Sequence, residues 1–242
     1  MKLYRFKSLE STNTTAYALA AKGAGEWTVV LAEEQTKGRG RRGKKWESPR
    51  GGLWFSIIVR PPGSASKLPI LQFMAANAAR AAIQDTTKVH VRLKWPNDLV
   101  TDDGKLGGIL VESKTIGERI EFGIIGIGIN TNQKDTSLPP GAVSLLSESG
   151  RRHERLRVMR AIVTQIRLRF PSLNTPSKIM SEWWTSCTHR PPTTVQVQSR
   201  THTFTGTTRG IDQDGTLLLE TDDHQIRRIS EGSLRIMDNL PY

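Results

Sequence analysis

The sequence predicts an α+β protein: a β-sheet domain with helices packed on it, followed by a small β-barrel. Three observations predict this. Runs rich in Val, Ile, Leu and aromatics alternate with alanine-rich or amphipathic helical stretches up to about residue 187. Arg190-Pro191-Pro192 then breaks the pattern. Beyond it come short alternating runs separated by tight turns, the pattern of a small barrel.

Residues 14–21 are alanine-rich and helical in propensity, and Ser11-Thr12-Asn13 stands before them. Residues 27–34 and 53–60 read as strands, with a glycine-rich basic loop between them. Residues 68–84 carry Ala75, Ala76, Ala78, Ala79, Ala81 and Ala82 around Leu71 and Met74, a helix with small side chains suited to lying close on a sheet. Three more strands are predicted at 89–95, 106–112 and 120–129, separated by Pro96-Asn97-Asp98 and Thr101-Asp102-Asp103-Gly104, both of turn composition. Leu156, Met159, Ile162, Val163, Ile166 and Phe170 recur at helical spacing over 153–170, leaving a face of Arg155, Arg157, Arg160, Arg167 and Arg169 expected to be solvated. A helix at 176–187 opens with Thr175-Pro176. The tail should form strands at 194–198, 202–209, 216–220, 225–229 and 234–237, which puts a boundary near residue 189 and domains at 1–188 and 189–242.

Length and composition bound the function. A chain of 242 residues, 36% hydrophobic and 24% charged, has enough apolar content for one large core and a small second module. No apolar run approaches the roughly 20 residues needed to span a bilayer, and Met1-Lys2-Leu3-Tyr4-Arg5-Phe6-Lys7 lacks the apolar block of a signal peptide. The expected location is the cytoplasm. The single cysteine, Cys187, forms no intrachain disulfide and reads as a packing residue. The net charge of +12 is uneven, because residues 37–50 hold seven basic side chains and one acidic one. A polyanionic partner is implied: a nucleic acid, a nucleotide or an acidic protein.

The basic loop Gly38-Arg39-Gly40-Arg41-Arg42-Gly43-Lys44-Lys45-Trp46 has the make-up of a phosphate holder. Its glycines are expected to present bare N–H groups to an oxyanion, its cations to add charge and Trp46 to offer a stacking surface. Ser11-Thr12-Asn13 reads as a helix N-cap and equally as a set of mixed donors and acceptors for a urea or amide ligand. Lys94-Trp95-Pro96-Asn97-Asp98 ends a strand in a turn able to aim an amide and a carboxylate at a pocket. Lys105-Leu106-Gly107-Gly108 starts a strand with a lysine and two glycines where something approaches the backbone closely. Gly126-Ile127-Gly128-Ile129-Asn130 repeats the device, and it is no dinucleotide fingerprint because the third glycine and the helix are missing.

In order and spacing these segments resemble the successive motifs of biotin protein ligases, including Gln35 ahead of the glycine loop, Lys94 to Asp98, Lys105 to Ile109 and Gly126 to Asn130. The tail, from Phe204-Thr205-Gly206 to Leu217-Leu218-Leu219-Glu220, resembles that family's SH3-like C-terminal domain. The resemblance implies a catalytic domain on a mixed sheet, of the biotin/lipoate ligase type, plus an SH3-like barrel. With Ser-Thr-Asn at residue 11, no DNA-binding domain is expected ahead of it, so the chain looks like the ligase-only form. The implied reaction adenylates biotin with ATP and Mg²⁺, then passes biotin to a lysine of a biotin carboxyl carrier protein domain.

Similarity assigns biotin to Ser11, Thr12, Asn13, Gln35, Gly38, Arg39, Gly40, Arg41 and Lys105, and ATP to Arg41, Trp46, Asn97, Lys105 and Asn130. Lys105, Arg39 and Asp98 are the implied catalytic groups, with Asp98 left open between a Mg²⁺ contact and acceptance of the substrate lysine's proton. No nucleic acid or membrane partner is expected; the sequence leaves a homodimer open. A nucleic-acid-binding reading explains the charge and Trp46, but not the Lys105 and Gly126 segments. A lipoate-type acyl ligase shares the architecture implied but not this set of motifs.

Overall fold

The computed structural model describes residues 1–237 of the chain, so the last residues of the expected C-terminal domain, 238–242, lie outside the described residues. Strands β1 (Leu3–Leu9), β2 (Val29–Gln35), β3 (Leu53–Val59), β4 (Arg92–Lys94), β5 (Asp98–Val100), β6 (Lys105–Ile116) and β7 (Arg119–Ile129) form one sheet in the order β1-β2-β3-β7-β6-β5-β4. β1 pairs with β2 in parallel and the other neighbours are antiparallel, so the sheet is mixed as expected.

Side chains alternate across a strand, and each face carries its own core. Val30, Ile58, Phe122 and Ile124 meet Ala16 and Ala20 of helix α1 (Thr12–Ala21). On the other face Val29, Leu31, Leu53, Phe55, Ile57 and Val59 pack with the alanines of α2 (Leu68–Thr87). After the short α3 (Leu145–Ser149), α4 (Arg155–Arg169) and α5 (Pro176–Thr185) complete that layer through Val158, Met159, Ile162, Ile166, Ile179 and Trp183. The arginines of α4 are not simply solvated. Arg155 Nη1 donates to the Gly52 carbonyl at 3.0 Å, Arg167 lies 5.3 Å over the Trp27 ring, and Arg169 pairs with Glu182 at 3.1 Å.

The chain then forms β8 (Thr194–Gln198), β9 (Thr203–Ile211), β10 (Leu217–Glu220), β11 (Ile226–Ile229) and β12 (Ser233–Ile236), an antiparallel sheet ordered β11-β10-β9-β8-β12. This is the expected SH3-like C-terminal fold. It is tied to the first sheet by the buried Trp95, whose indole N–H donates to the Gly215 carbonyl at 3.1 Å across 120 residues of sequence. At the junction His189 is fully buried between the rings of Trp183 and Trp184, and burial pushes its imidazole down to about 3. Cys187 is also buried, its thiol raised to about 11 by that burial, which suits a packing residue and not a nucleophile. No described helix is long and apolar enough to cross a membrane.

Candidate active site

The face of the sheet under α1 is not wholly covered by that helix. Beyond Ile58 and Ile124 the next cross-strand rows are Ser56–Gly126–Leu110 and Trp54–Gly128–Gly108. The glycines leave a depression, and the Gly38–Trp46 loop roofs it. An open cavity lies between them. Its wall includes Ser11, Thr12, Asn13, Gln35, Arg39, Gly40, Arg41, Trp46, Asn97, Asp98 and Lys105, with Gly232, Ser233 and Leu234 closing it from the C-terminal sheet. Segments far apart in sequence therefore meet at one place.

Two expected residues do not line the cavity. Gly38 is packed beneath the loop, where an added Cβ would lie 2.4 Å from the Trp46 carbonyl oxygen and 2.6 Å from Ser48 Oγ. Asn130 is buried, and its amide donates to the carbonyls of Val143 (3.0 Å) and Lys105 (3.4 Å), so it supports the backbone of Lys105 from behind. Of the two glycines after Lys105, Gly107 admits the neighbouring strand, with the Gly128 carbonyl 2.5 Å from where its Cβ would stand.

Within the loop Gly40 N donates to Lys44 O (2.7 Å), Lys44 N to Arg41 O (3.1 Å) and Trp46 N to Gly38 O (2.9 Å), so these three N–H groups serve the loop itself. A left-handed turn is made at Arg42 (φ 57°) and Gly43 (φ 73°). The loop is thus a small hairpin that delivers charge through side chains. Burial lowers the pKa of the Arg41 guanidinium, adjacent Arg42 adds to that, and Asp98 and Glu231 oppose it. Arg41 stays protonated all the same, a partly dehydrated cation suited to an incoming anion. Arg42 reaches the C-terminal sheet, with Nη1 3.4 Å from the Gln198 carbonyl and Nη2 3.5 Å from Glu231.

Under the loop the polar side chains form one connected chain. Ser48 Oγ donates to the Trp46 carbonyl (3.1 Å) and accepts from Gln35 Nε2 (2.8 Å). Gln35 Oε1 accepts from Thr12 N (2.8 Å), and Thr12 Oγ1 lies 2.8 Å from Ser56 Oγ. Ser56 Oγ is 2.6 Å from Asn13 Oδ1, Asn13 Nδ2 is 2.6 Å from Glu112 Oε2, and the same oxygen accepts from Arg39 Nη2 at 2.9 Å. Both ends of the basic loop are thereby linked to the sheet. Ser11 occupies the N-cap position of α1 but makes no capping hydrogen bond, so the N-cap reading of its side chain is not realised.

At the other end of the cavity Lys105 Nζ is 2.7 Å from Asp98 Oδ1 and 5.1 Å from the Trp46 ring centre. Asn97 clamps β6 through Nδ2 to the Ile109 carbonyl at 2.9 Å. The Trp46 indole lies on Gly128, and its buried N–H has no hydrogen-bond partner among the described residues. Sequence reasoning passed over Glu112. Its signal is a lone carboxylate on an apolar strand run, one alternation from Leu110 and on the same face.

Residues 5–130 match the Biotin/lipoate A/B protein ligase family, and residues 194–233 match the Biotin protein ligase C terminal domain. The bifunctional ligase/repressor BirA of Bacillus subtilis is 36% identical over 224 residues, which span 89% of this chain and 68% of the relative. The biotin–[acetyl-CoA-carboxylase] ligase of Paracoccus denitrificans is 39% identical over 146 residues, 58% of this chain and 60% of the relative. The solved structure of the biotin protein ligase from Aquifex aeolicus in complex with biotin and ATP superposes with a TM-score of 0.82 at 27% identity, covering 98% of this chain and 99% of that one. With more than half of its length matched and its catalytic sheet, basic loop and C-terminal sheet accounted for, the chain belongs to the biotin/lipoate A/B protein ligase family.

Proposed function

We infer that this chain is an ATP-dependent biotin protein ligase, which adenylates biotin and transfers it to a lysine of a biotin carboxyl carrier protein domain. The observation that carries the reading is the single cavity that gathers a hydroxyl and amide set at one end and a cluster of cations at the other. It is supported by the likeness, over nearly the whole chain, to a ligase solved with biotin and ATP. We assign residues 1–188 to the catalytic domain and 189–242 to the C-terminal domain, and place the protein in the cytoplasm.

In the first step a biotin carboxylate oxygen bonds to the α-phosphorus of ATP and pyrophosphate leaves. Two anions must meet, so the barrier falls only if fixed cations offset their repulsion. Arg39, Arg41 and Lys105 serve that purpose, Lys105 exchanging its Asp98 partner for the carboxylate and α-phosphate. Ser11, Thr12, Asn13 and Gln35 hold the ureido ring, and Trp46 stacks on adenine. In the second step the carrier lysine's nitrogen bonds to the acyl carbon, AMP leaves and the amine's proton passes to a base. The loop's cover over the mixed anhydride excludes water between the steps.

Among the described residues no group of three or more His, Cys, Asp or Glu forms a metal cage. Asp98 is the one carboxylate among the described residues that line the cavity, which suits Mg²⁺ brought in on phosphates, an ion commonly held by one or two carboxylates plus the nucleotide. When bound, Mg²⁺ neutralises phosphate charge. Asp98 is equally the cavity group able to accept the lysine's proton; an Asp98→Asn variant that retains pyrophosphate exchange but loses transfer would assign it to the second role. Pyrophosphate exchange that requires both biotin and ATP, with lipoate inactive in its place, tests the proposal. Exchange with lipoate alone would replace it with a lipoate ligase.

A further inference from the structure

Glu112 anchors the hydrogen-bonded chain beneath the cavity, and its chemistry fixes how Asn13 and Ser56 direct their protons in that chain. A glutamate carboxylate near neutral pH only accepts hydrogen bonds. The 2.6 Å contact to Asn13 is therefore donated by the Asn13 Nδ2 group, which determines how that amide faces. Its carbonyl oxygen then meets Ser56 Oγ at 2.6 Å, and because that oxygen cannot donate, the Ser56 proton goes to Asn13. Ser56 is fully buried and Asn13 nearly so, leaving no room for solvent to supply another arrangement. Ser56, its only proton spent, cannot donate to Thr12 and is left to accept. The Thr12 proton goes to Ser56 Oγ at 2.8 Å or to Gln35 Oε1 at 3.1 Å; in both cases it is used within the protein.

Thr12 Oγ1 is consequently left with lone pairs, and no proton, for a cavity ligand. We propose that Glu112 is a positioning residue that sets this proton order and so makes Thr12 an acceptor for a ring N–H of the ureido group. The inference rests on the biotin-ligase reading. It adds a specificity rule: a ring bearing an acceptor in place of that N–H meets another acceptor and is refused. A neutral glutamine at position 112 can both donate and accept, so Asn13 is free to turn over, Ser56 to donate toward Thr12 and Thr12 to donate to the ligand. Arg39, which shares the Glu112 oxygen at 2.9 Å, contributes charge but does not set the order.

The test is calorimetry with biotin and with the two cyclic carbamates in which either ring N–H is replaced by oxygen. The wild type is expected to prefer biotin over one of the two carbamates by about a hundredfold, the scale of one buried hydrogen bond exchanged for a repulsion. E112Q should bind biotin about tenfold more weakly and lose about tenfold of that preference. R39M should keep the preference, since the carboxylate remains. Should E112Q fail to fold, S56A removes the link between Asn13 and Thr12 and must shrink the preference in the same way. An unchanged preference in folded E112Q or S56A, or its equal loss in R39M, would overturn the proposal. A wild type that binds no biotin at all would overturn the ligase reading itself, and the inference with it.

Discussion

Substituting Gly126 by alanine tests the polar floor of the cavity with one methyl group. The new Cβ would stand 2.1 Å from Asn13 Oδ1, about 1.3 Å short of ordinary contact. Asn13 cannot retreat cheaply, because Ser56 and Glu112 hold it on either side at 2.6 Å each. Moving it stretches both bonds. A hydrogen bond to a charged group is worth about 1.5–3 kcal/mol and a neutral one about 1 kcal/mol. Replacing a strand glycine by alanine returns about 0.5–1 kcal/mol, leaving a net loss of about 2–3 kcal/mol. If the loss falls on the biotin-bound state, Kd rises about 30- to 150-fold; if on the fold, Tm drops by about 2–4 °C for each kcal/mol. Gly128→Ala is the companion variant. Its Cβ would meet Trp46 Nε1 at 2.8 Å, so it should weaken ATP more than biotin. Titration calorimetry of both ligands with both variants, beside thermal melts, reads the pattern. A Gly126→Ala protein with wild-type biotin affinity and wild-type Tm would refute the claim that Asn13 is fixed and needed.

Lys105→Ala should abolish most pyrophosphate exchange with little change in Tm, since the ammonium faces the cavity and Asp98 and not the core; near-normal exchange would remove Lys105 from the chemistry. Trp46→Ala should weaken ATP more than free biotin by calorimetry, and equal losses would make the indole merely structural. Arg41→Gly removes a dehydrated cation from the roof, so biotinyl-adenylate should escape and label lysines on an unrelated protein. A streptavidin blot showing no increase, from a variant that still forms the adenylate, would contradict that role. His189 is held at about 3 in the fold by burial, against about 6.5 when exposed. The unfolded chain therefore binds the extra proton first as pH falls, and stability should decline from pH 6.5 toward 3 by up to about 1.4 kcal/mol per pH unit. Urea melts across that window should lose this component of the slope in His189→Gln.

The sequence made legible the elements whose residues face a core. The alanine run of α2, the periodic apolar stripe of α4 and the strands β3 and β7 occur where hydrophobic spacing puts them, because burial on one or both faces dictates that spacing. The misses are elements defined by partners. β1 alternates Arg5 and Lys7 with Tyr4 and Phe6 at a sheet edge, and β5 is three residues between two turns, too short for any period to register. The 89–95 run yields only Arg92–Lys94 as strand. Among the arginines of α4, composition gave no sign that Arg155, Arg167 and Arg169 would find a carbonyl, an indole and a carboxylate. At the site, motif spacing pointed to residues that converge, yet Asn130 and Gly38 support the cavity from outside it. Glu112 enters only through the register that sets it on the face shared with Gly126 and Gly108.

The contribution of Gly232, Ser233 and Leu234 to the cavity wall has a consequence for the order of assembly. The first sheet draws its strands from residues 3–129, and most of its pairings join neighbours in sequence. The contacts that close the cavity instead span 120 residues from Trp95 to Gly215 and 156 from Arg42 to Gln198. Distant pairings bear the larger loop-closure entropy and form late. A chain emerging from the ribosome thus has every strand of its first sheet available before the C-terminal residues that complete the cavity wall.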